Sequence, residues 1–200
     1  SGKKALYQQA LKDLKAKGIA VVDLIPAFEE VKKNGGPAFL RTDTHWSPSM
    51  ADQVAHTLAT TLAFEFPDLS LPHTHFVTTQ GEGKIFLGDL PKRMVPTGIF
   101  QKWVGPYEEI MIPYKTEKKA GEAEEGLFDE QIVPVVLLGT SYSADPKWNF
   151  EGSLKTALQA DVLNLAEKGR GPIFPLEELF KSTDFKENPP KLVIWEIPER

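Results

Sequence analysis

Apolar positions in this chain follow three rhythms, and each predicts a different element. Across residues 4–17, Leu6, Tyr7, Ala10, Leu11 and Leu14 recur at helical spacing, and Gly18 stands where a left-handed helix cap belongs. Residues 19–24 form a short apolar run closed by Pro26, which predicts a strand and, with the preceding helix, an αβ unit of a parallel sheet. Residues 27–33 predict a short helix, stopped by Asn34-Gly35-Gly36-Pro37. Ser47-Pro48 is a helix start: a capping hydroxyl, then a residue whose missing N–H is tolerated in the first turn. Met50, Ala51, Val54, Ala55, Leu58, Ala59 and Leu62 continue it as an amphipathic stripe.

The densest apolar run is Val133-Pro134-Val135-Val136-Leu137-Leu138, which reads as a strand buried on both faces. It leads straight into Gly139-Thr140-Ser141 and a helix-compatible segment. Beyond it, Trp148-Asn149-Phe150 precedes a helix through Leu154, Ala157 and Leu158. Residues 161–165 predict a short strand or a helix end, 175–180 a short helix, and 191–197 a final strand.

Between residues 65 and 132 the pattern is broken by Pro67, Pro72, Pro91, Pro96, Pro106 and Pro113. Residues 74–78, 84–87 and 109–113 are candidate short strands. The charged run 115–125 reads as a mobile loop. This section reads as an insertion able to cover a site, within one α/β domain spanning 1–200.

Composition narrows the function classes. Two hundred residues, 41% hydrophobic and 26% charged, suit one folded domain. No apolar run is long enough to span a membrane. The absence of cysteine excludes thiol catalysis and disulfides. A net charge of −5 is a poor match for nucleic acid.

The candidate chemistry lies at two places. Ser141 follows a central strand, where open α/β sheets place their reactive groups; Thr140 and Ser143 compete for the same role. A serine needs a base, and the base needs a group that fixes its tautomer. His45 suits the first role and Asp43 the second, since a turn lets the carboxylate fold back on the ring. Backbone N–H groups after Ser141 and the Asn149 amide are oxyanion-donor candidates. Tyr142, Trp46 and Trp148 join Asn149 as substrate or oxyanion candidates; the two tryptophans are either core or the wall of a pocket. Each signal alone has a plainer reading, because such serines and Asp-x-His pairs more often cap helices. His73-Thr74-His75 offers two ligands on a strand face without a third, so these read as surface or structural histidines, and His56 as structural. Lys92, Arg93, Lys115, Lys118 and Lys119 read as solvated charge, and Gly88-Asp89-Leu90 as a turn. No metal or cofactor is expected.

Three pieces together resemble a known family: Thr42-Asp43-Thr44-His45-Trp46-Ser47-Pro48, then Gly139-Thr140-Ser141-Tyr142-Ser143 with Trp148-Asn149-Phe150, and finally Ile194-Trp195-Glu196-Ile197-Pro198-Glu199-Arg200. They are similar to the SGNH-hydrolase-like domain of the alginate O-acetyltransferase (AlgJ/AlgX) family. Ordinary SGNH hydrolases carry the serine block first; the reversed order here is typical of this family. The resemblance implies a three-layer, flavodoxin-like parallel sheet with permuted motif order, and Asp43, His45 and Ser141 as a triad. It implies acetyl carried on Ser141 and passed to mannuronate hydroxyls of alginate or to a partner protein. It further implies a periplasmic location, a membrane-bound O-acyltransferase as source of acetyl, and other alginate acetylation and secretion proteins as partners. With no carbohydrate-binding module following, the AlgJ branch, anchored by an N-terminal membrane segment, is the nearer one. An N-terminal strand expected by the resemblance is absent from the sequence. Two alternatives stay open: an acetylesterase that gives acetyl to water, and a non-catalytic module or relay of a secretion complex.

Overall fold

The computed structural model describes residues 2–91, 108–119 and 133–198. Helix α1, Gly2–Ala16, ends as its glycine predicts. Gly18 takes φ +78°, its N–H bonds the Lys15 carbonyl, and the Ile19 N–H reaches back to Leu14. Residues 19–24 form no strand, contrary to the expectation from their apolar run. A strand needs a ladder, and among the described residues no sheet offers this segment one. Its end is tied by side chains instead: the Leu24 N–H donates to the Tyr7 hydroxyl and the Ile25 N–H to Asp23.

Helix α2, Ile25–Lys33, leads through a loop to α3, Pro48–Glu65. The predicted cap holds: Ser47 Oγ accepts the Met50 N–H at 3.1 Å. The segment 65–132 contributes antiparallel ribbons. Strand β1, Phe76–Gln80, pairs with β4, Tyr114–Lys118; β2, Lys84–Phe86, pairs with β3, Glu109–Met111. The charged run expected to be a loop from residue 115 therefore begins inside a strand. Alternation explains this: Tyr114 and Thr116 are half-buried while Lys115 and Glu117 face solvent. The Thr116 and Thr78 hydroxyls meet at 2.7 Å, and Thr78 meets Thr156 at 2.7 Å, docking this ribbon on the helix that carries Thr156. Residues 120–125 of the charged run, like Lys92, Arg93, Pro96 and Pro106, lie outside the described residues, as do Glu199 and Arg200.

The heart of the fold is β5, Val135–Leu138, every residue of it buried. It is flanked on both sides by parallel strands, β6, Val162–Asn164, and β7, Leu192–Trp195. Val135 and Leu137 face one core with Trp46, Met50, Ala51, Val54 and Leu154. Val136 and Leu138 face the other, with Leu179. Each fully buried leucine side chain contributes about 1.5–3 kcal/mol by leaving water. Helices α3 and α5 (Phe150–Leu158) cover the first face; α6 (Ile173–Lys181) and α7 (Thr183–Glu187) cover the second. The result is a three-layer α/β arrangement around a parallel sheet. Between β5 and α5 lie α4, Ser141–Ala144, and a 3-10 turn, Pro146–Trp148.

Candidate active site

Ser141 opens α4 directly past the end of β5. Residues 41–44 form the tip of a tight hairpin, closed at its base by Ser47 N–H to the Ala38 carbonyl and Leu40 N–H to the His45 carbonyl. The hairpin is joined to the start of α3, so its tip is anchored to the core.

The two loops meet. His45 Nε2 lies 2.7 Å from Ser141 Oγ, and His45 Nδ1 lies 2.5 Å from Asp43 Oδ1. The same carboxylate oxygen accepts the His45 backbone N–H at 3.1 Å, the back-folding turn that the Asp-x-His spacing allows. Asp43 Oδ2 accepts the Asp89 N–H at 3.0 Å. The carboxylate thus accepts hydrogen bonds on both oxygens. The Asp43 side chain is 6% exposed and that of His45 14%, so the ring has one narrow opening to solvent.

The aromatic candidates pack close by, the two tryptophans in the core. Trp148 is 1% exposed and Trp46 4%, too buried to wall a pocket. Trp148 stacks on the His45 ring at 5.1 Å between centroids, and its indole N–H donates to the Ser141 carbonyl. Trp46 packs its edge on Tyr142, and its indole N–H donates to the Tyr142 carbonyl. The Tyr142 hydroxyl donates to the Thr44 carbonyl at 2.5 Å, so it joins the two loops and is not a free donor. An Asn149 amide N–H donates to Thr116 Oγ1 at 2.9 Å. Asn149 lines a polar cleft of about 230 Å³ with Thr116, Ser143, Asp145 and Lys155, and neither Ser141 nor His45 borders that cleft.

The backbone N–H groups near Ser141 are mostly engaged. Thr140 N–H goes to Glu196, Tyr142 N–H to Thr140 Oγ1, and those of Ser143 and Ala144 to the Thr140 carbonyl. Among the described residues the Ser141 N–H has no acceptor.

Four further residues shape the site without having been candidates. Glu109, 8% exposed, accepts the Thr42 hydroxyl, the Thr42 N–H and the Arg41 N–H. Burial opposes its charge, but these hydrogen bonds outweigh burial and hold its carboxyl below the ordinary glutamate value. Asp89 accepts the Thr44 N–H and hydroxyl. Gly88 passes so close that a Cβ there would lie 1.9 Å from the Thr42 carbonyl oxygen. Glu196 holds the turn of Ser141. In the sequence, Gly88-Asp89 stands out as a turn and Glu196 as part of the last matching piece; Glu109, an isolated glutamate at a strand start, has no distinguishing pattern. Among the described residues no group of three or more His, Asp or Glu gathers as a metal site would require, and no helix is long and apolar enough to cross a membrane.

A family profile described as "SGNH hydrolase-like domain, acetyltransferase AlgX" matches residues 1–199. "Probable alginate O-acetylase AlgJ" of Azotobacter vinelandii is 41% identical over 198 residues, covering 98% of this chain and 50% of the relative. The protein of that name from Pseudomonas fluorescens is 42% identical over 197 residues, covering 98% and 49%. "Alginate biosynthesis protein AlgX" of Pseudomonas putida is 32% identical over 205 residues, covering 96% and 40%. The chain thus spans about half the length of the curated relatives it matches most fully. Of solved structures, the O-acetyltransferase domain of Pseudomonas putida AlgJ superposes with a TM-score of 0.82 at 33% identity, over 96% of this chain and 64% of that one. Pseudomonas aeruginosa AlgX superposes with a TM-score of 0.78 at 28% identity, over 98% and 44%. With its parallel sheet and its Asp-x-His hairpin preceding the serine turn, this chain belongs to the family of SGNH hydrolase-like domains of the AlgX acetyltransferase type.

Proposed function

We propose that this domain is an O-acetyltransferase acting through an acetyl-serine, with Ser141 as nucleophile, His45 as general base and acid, and Asp43 holding the imidazole. The observation that carries this reading is the unbroken chain Ser141 Oγ, His45 Nε2, His45 Nδ1, Asp43 Oδ1, with links of 2.7 and 2.5 Å.

In the first half-reaction Ser141 Oγ attacks the acetyl carbonyl carbon while its proton moves to His45 Nε2. The carbonyl oxygen takes up the negative charge, and the Ser141 N–H is the donor placed to meet it. The leaving oxygen takes the proton back from His45 as its bond to the acetyl carbon breaks. In the second half an acceptor hydroxyl attacks the acetyl-serine, gives its proton to His45, and Ser141 Oγ recovers it on departure. Asp43 stays ionised and stabilises the imidazolium.

The names of the relatives support alginate as the acceptor polymer; mannuronate hydroxyls as the acceptor groups are what the family resemblance implies. The same names support a place among alginate acetylation proteins; a membrane-bound O-acyltransferase as the source of acetyl is what the family resemblance implies. On this reading the domain works in the periplasm, tethered to the inner membrane.

The test supplies an activated acetyl ester and follows intact mass. The expected result is one acetyl group on Ser141, none in Ser141→Ala, and turnover reduced at least about 10³-fold in that variant. Full esterase turnover by Ser141→Ala would end the reading. Adding mannuronate oligomers separates transfer from hydrolysis: acetylated oligomer supports transfer, and free acetate alone supports an esterase.

A further inference from the structure

We infer that Glu196 is the positioning residue of the nucleophile, fixing through Thr140 the turn on which Ser141 stands; the inference rests on Ser141 being the acylated group. Leu138 pairs with Trp195 in the parallel sheet, so the next residue of each strand lies beside the other. The Glu196 N–H extends the ladder by one bond, to the Leu138 carbonyl at 2.9 Å. The Glu196 side chain then crosses Gly139, where a Cβ would lie 2.5 Å from its Oε2. Only glycine leaves the carboxylate that path.

The carboxylate reaches three donors on the serine turn. Oε2 accepts the Thr140 N–H at 2.8 Å, the Thr140 hydroxyl at 3.0 Å and the Ser143 hydroxyl at 3.1 Å. A carboxylate only accepts, so the Thr140 hydroxyl must donate to it. That leaves its lone pair for the Tyr142 N–H, 3.4 Å away. The Thr140 carbonyl meanwhile takes the N–H groups of Ser143 and Ala144. The carboxylate therefore sets the direction in which the Thr140 and Ser143 hydroxyls point, and the Ser141 N–H is left for the reacting oxygen. Bonds to an ionised acceptor are about twice as strong as neutral ones, so the turn is rigid where the hydroxyl must meet His45. Glu196 touches neither substrate nor the reacting atoms; it acts by holding the residue before the nucleophile.

The test compares wild type, Glu196→Ala, Glu196→Gln and Ser143→Ala, reading the acylation rate with an activated acetyl ester, thermal stability, and amide exchange of the peptide 139–144. Glu196→Ala should lower the acylation kcat about 10²-fold, the scale of a displacement of about 1 Å. KM should stay within about twofold, since ground-state binding is untouched. Exchange in 139–144 should rise while that of α3 does not. Glu196→Gln should recover part of the rate, because one oxygen still accepts the Thr140 N–H. Ser143→Ala, which removes one of the three bonds, should fall between wild type and Glu196→Gln. Acylation by Glu196→Ala within about threefold of wild type, or unchanged exchange in 139–144, overturns the inference. So does a rate loss that only follows the loss of folded protein. The exchange readout needs no turnover: a wild type that never acquires acetyl at Ser141 refutes the proposed function, while exchange still decides whether Glu196 holds the turn.

Discussion

The two loops that meet at the site use the same device, assembled by different routes. On each, a threonine gives both its N–H and its hydroxyl to a glutamate carboxylate and accepts a backbone N–H in return. Thr42 does so with Glu109 and the Gly88 N–H; Thr140 does so with Glu196 and the Tyr142 N–H. Glu196 arrives through the central sheet, one residue past a strand that pairs with β5. Glu109 arrives from a two-stranded ribbon outside the parallel sheet. The nucleophile is thus positioned by the hydrophobic core and its ladder. The base is positioned by polar contacts to residues 45 to 68 positions away. The Asp43–His45 loop thus depends on Gly88, Asp89 and Glu109 being in place, and the Ser141 loop on the parallel sheet.

The strongest way to break this comparison is a methyl group on each loop's glycine. In Gly88→Ala the new Cβ meets backbone at 1.9 Å, whereas in Gly139→Ala it meets the side-chain carboxylate of Glu196 at 2.5 Å. We expect Gly88→Ala to lower kcat/KM by more than about 10²-fold, with a smaller loss in Gly139→Ala. Equal losses would mean that the two loops are held with the same stiffness.

Next in size is Glu109→Ala, which leaves three donors without their acceptor. Partial rehydration should limit the loss to about 2–4 kcal/mol, measured by urea unfolding. Exchange should rise in residues 41–45 and stay unchanged in 139–144. A change of the same size in both peptides would remove the independence argued for above.

The same carboxylate makes the comparison pH-dependent. Its folded pKa lies below the unfolded value, so its contribution is fully present above the unfolded glutamate pKa. That contribution is lost as pH falls from there through the lower folded value. Wild type should therefore lose stability on acidification more steeply than Glu109→Gln. Parallel curves would show that Glu109 is not the group responsible.

Tyr142→Phe should have a smaller effect. It removes one hydrogen bond between the loops while keeping the ring on His45, and should cost about 0.5–1.5 kcal/mol. The smallest change in activity is expected for Asn149→Gly, which suits the left-handed φ of +52° and removes only the amide on Thr116. Esterase kcat should stay within about threefold of wild type. A larger fall would return Asn149 to the oxyanion site.

Much of the scaffold could be read in advance because its signals are local. Ser47-Pro48 starts a helix through its own backbone chemistry, Gly18 ends one through its positive φ, and four consecutive buried residues mark β5. The three polar residues Asp43, His45 and Ser141 also stood out, since a turn and a strand end constrain where their side chains point. Residues 19–24 misled because apolar composition does not supply a ladder partner. Residues 115–118 misled because charge on an exposed strand face looks like loop.

Tertiary structure alone decided what lies behind the three candidate residues. Trp46 and Trp148 became supports and not walls once their burial was known. Glu109 carries no local signature, and for Asp89 and Glu196 the sequence does not say which donors they serve, because those donors belong to backbone far away in the chain. Local pattern determines which segments become helix, strand and turn, since backbone sterics and side-chain burial act over a few residues. Which carboxylate meets which loop depends on how those elements pack, and that is set by the whole core at once.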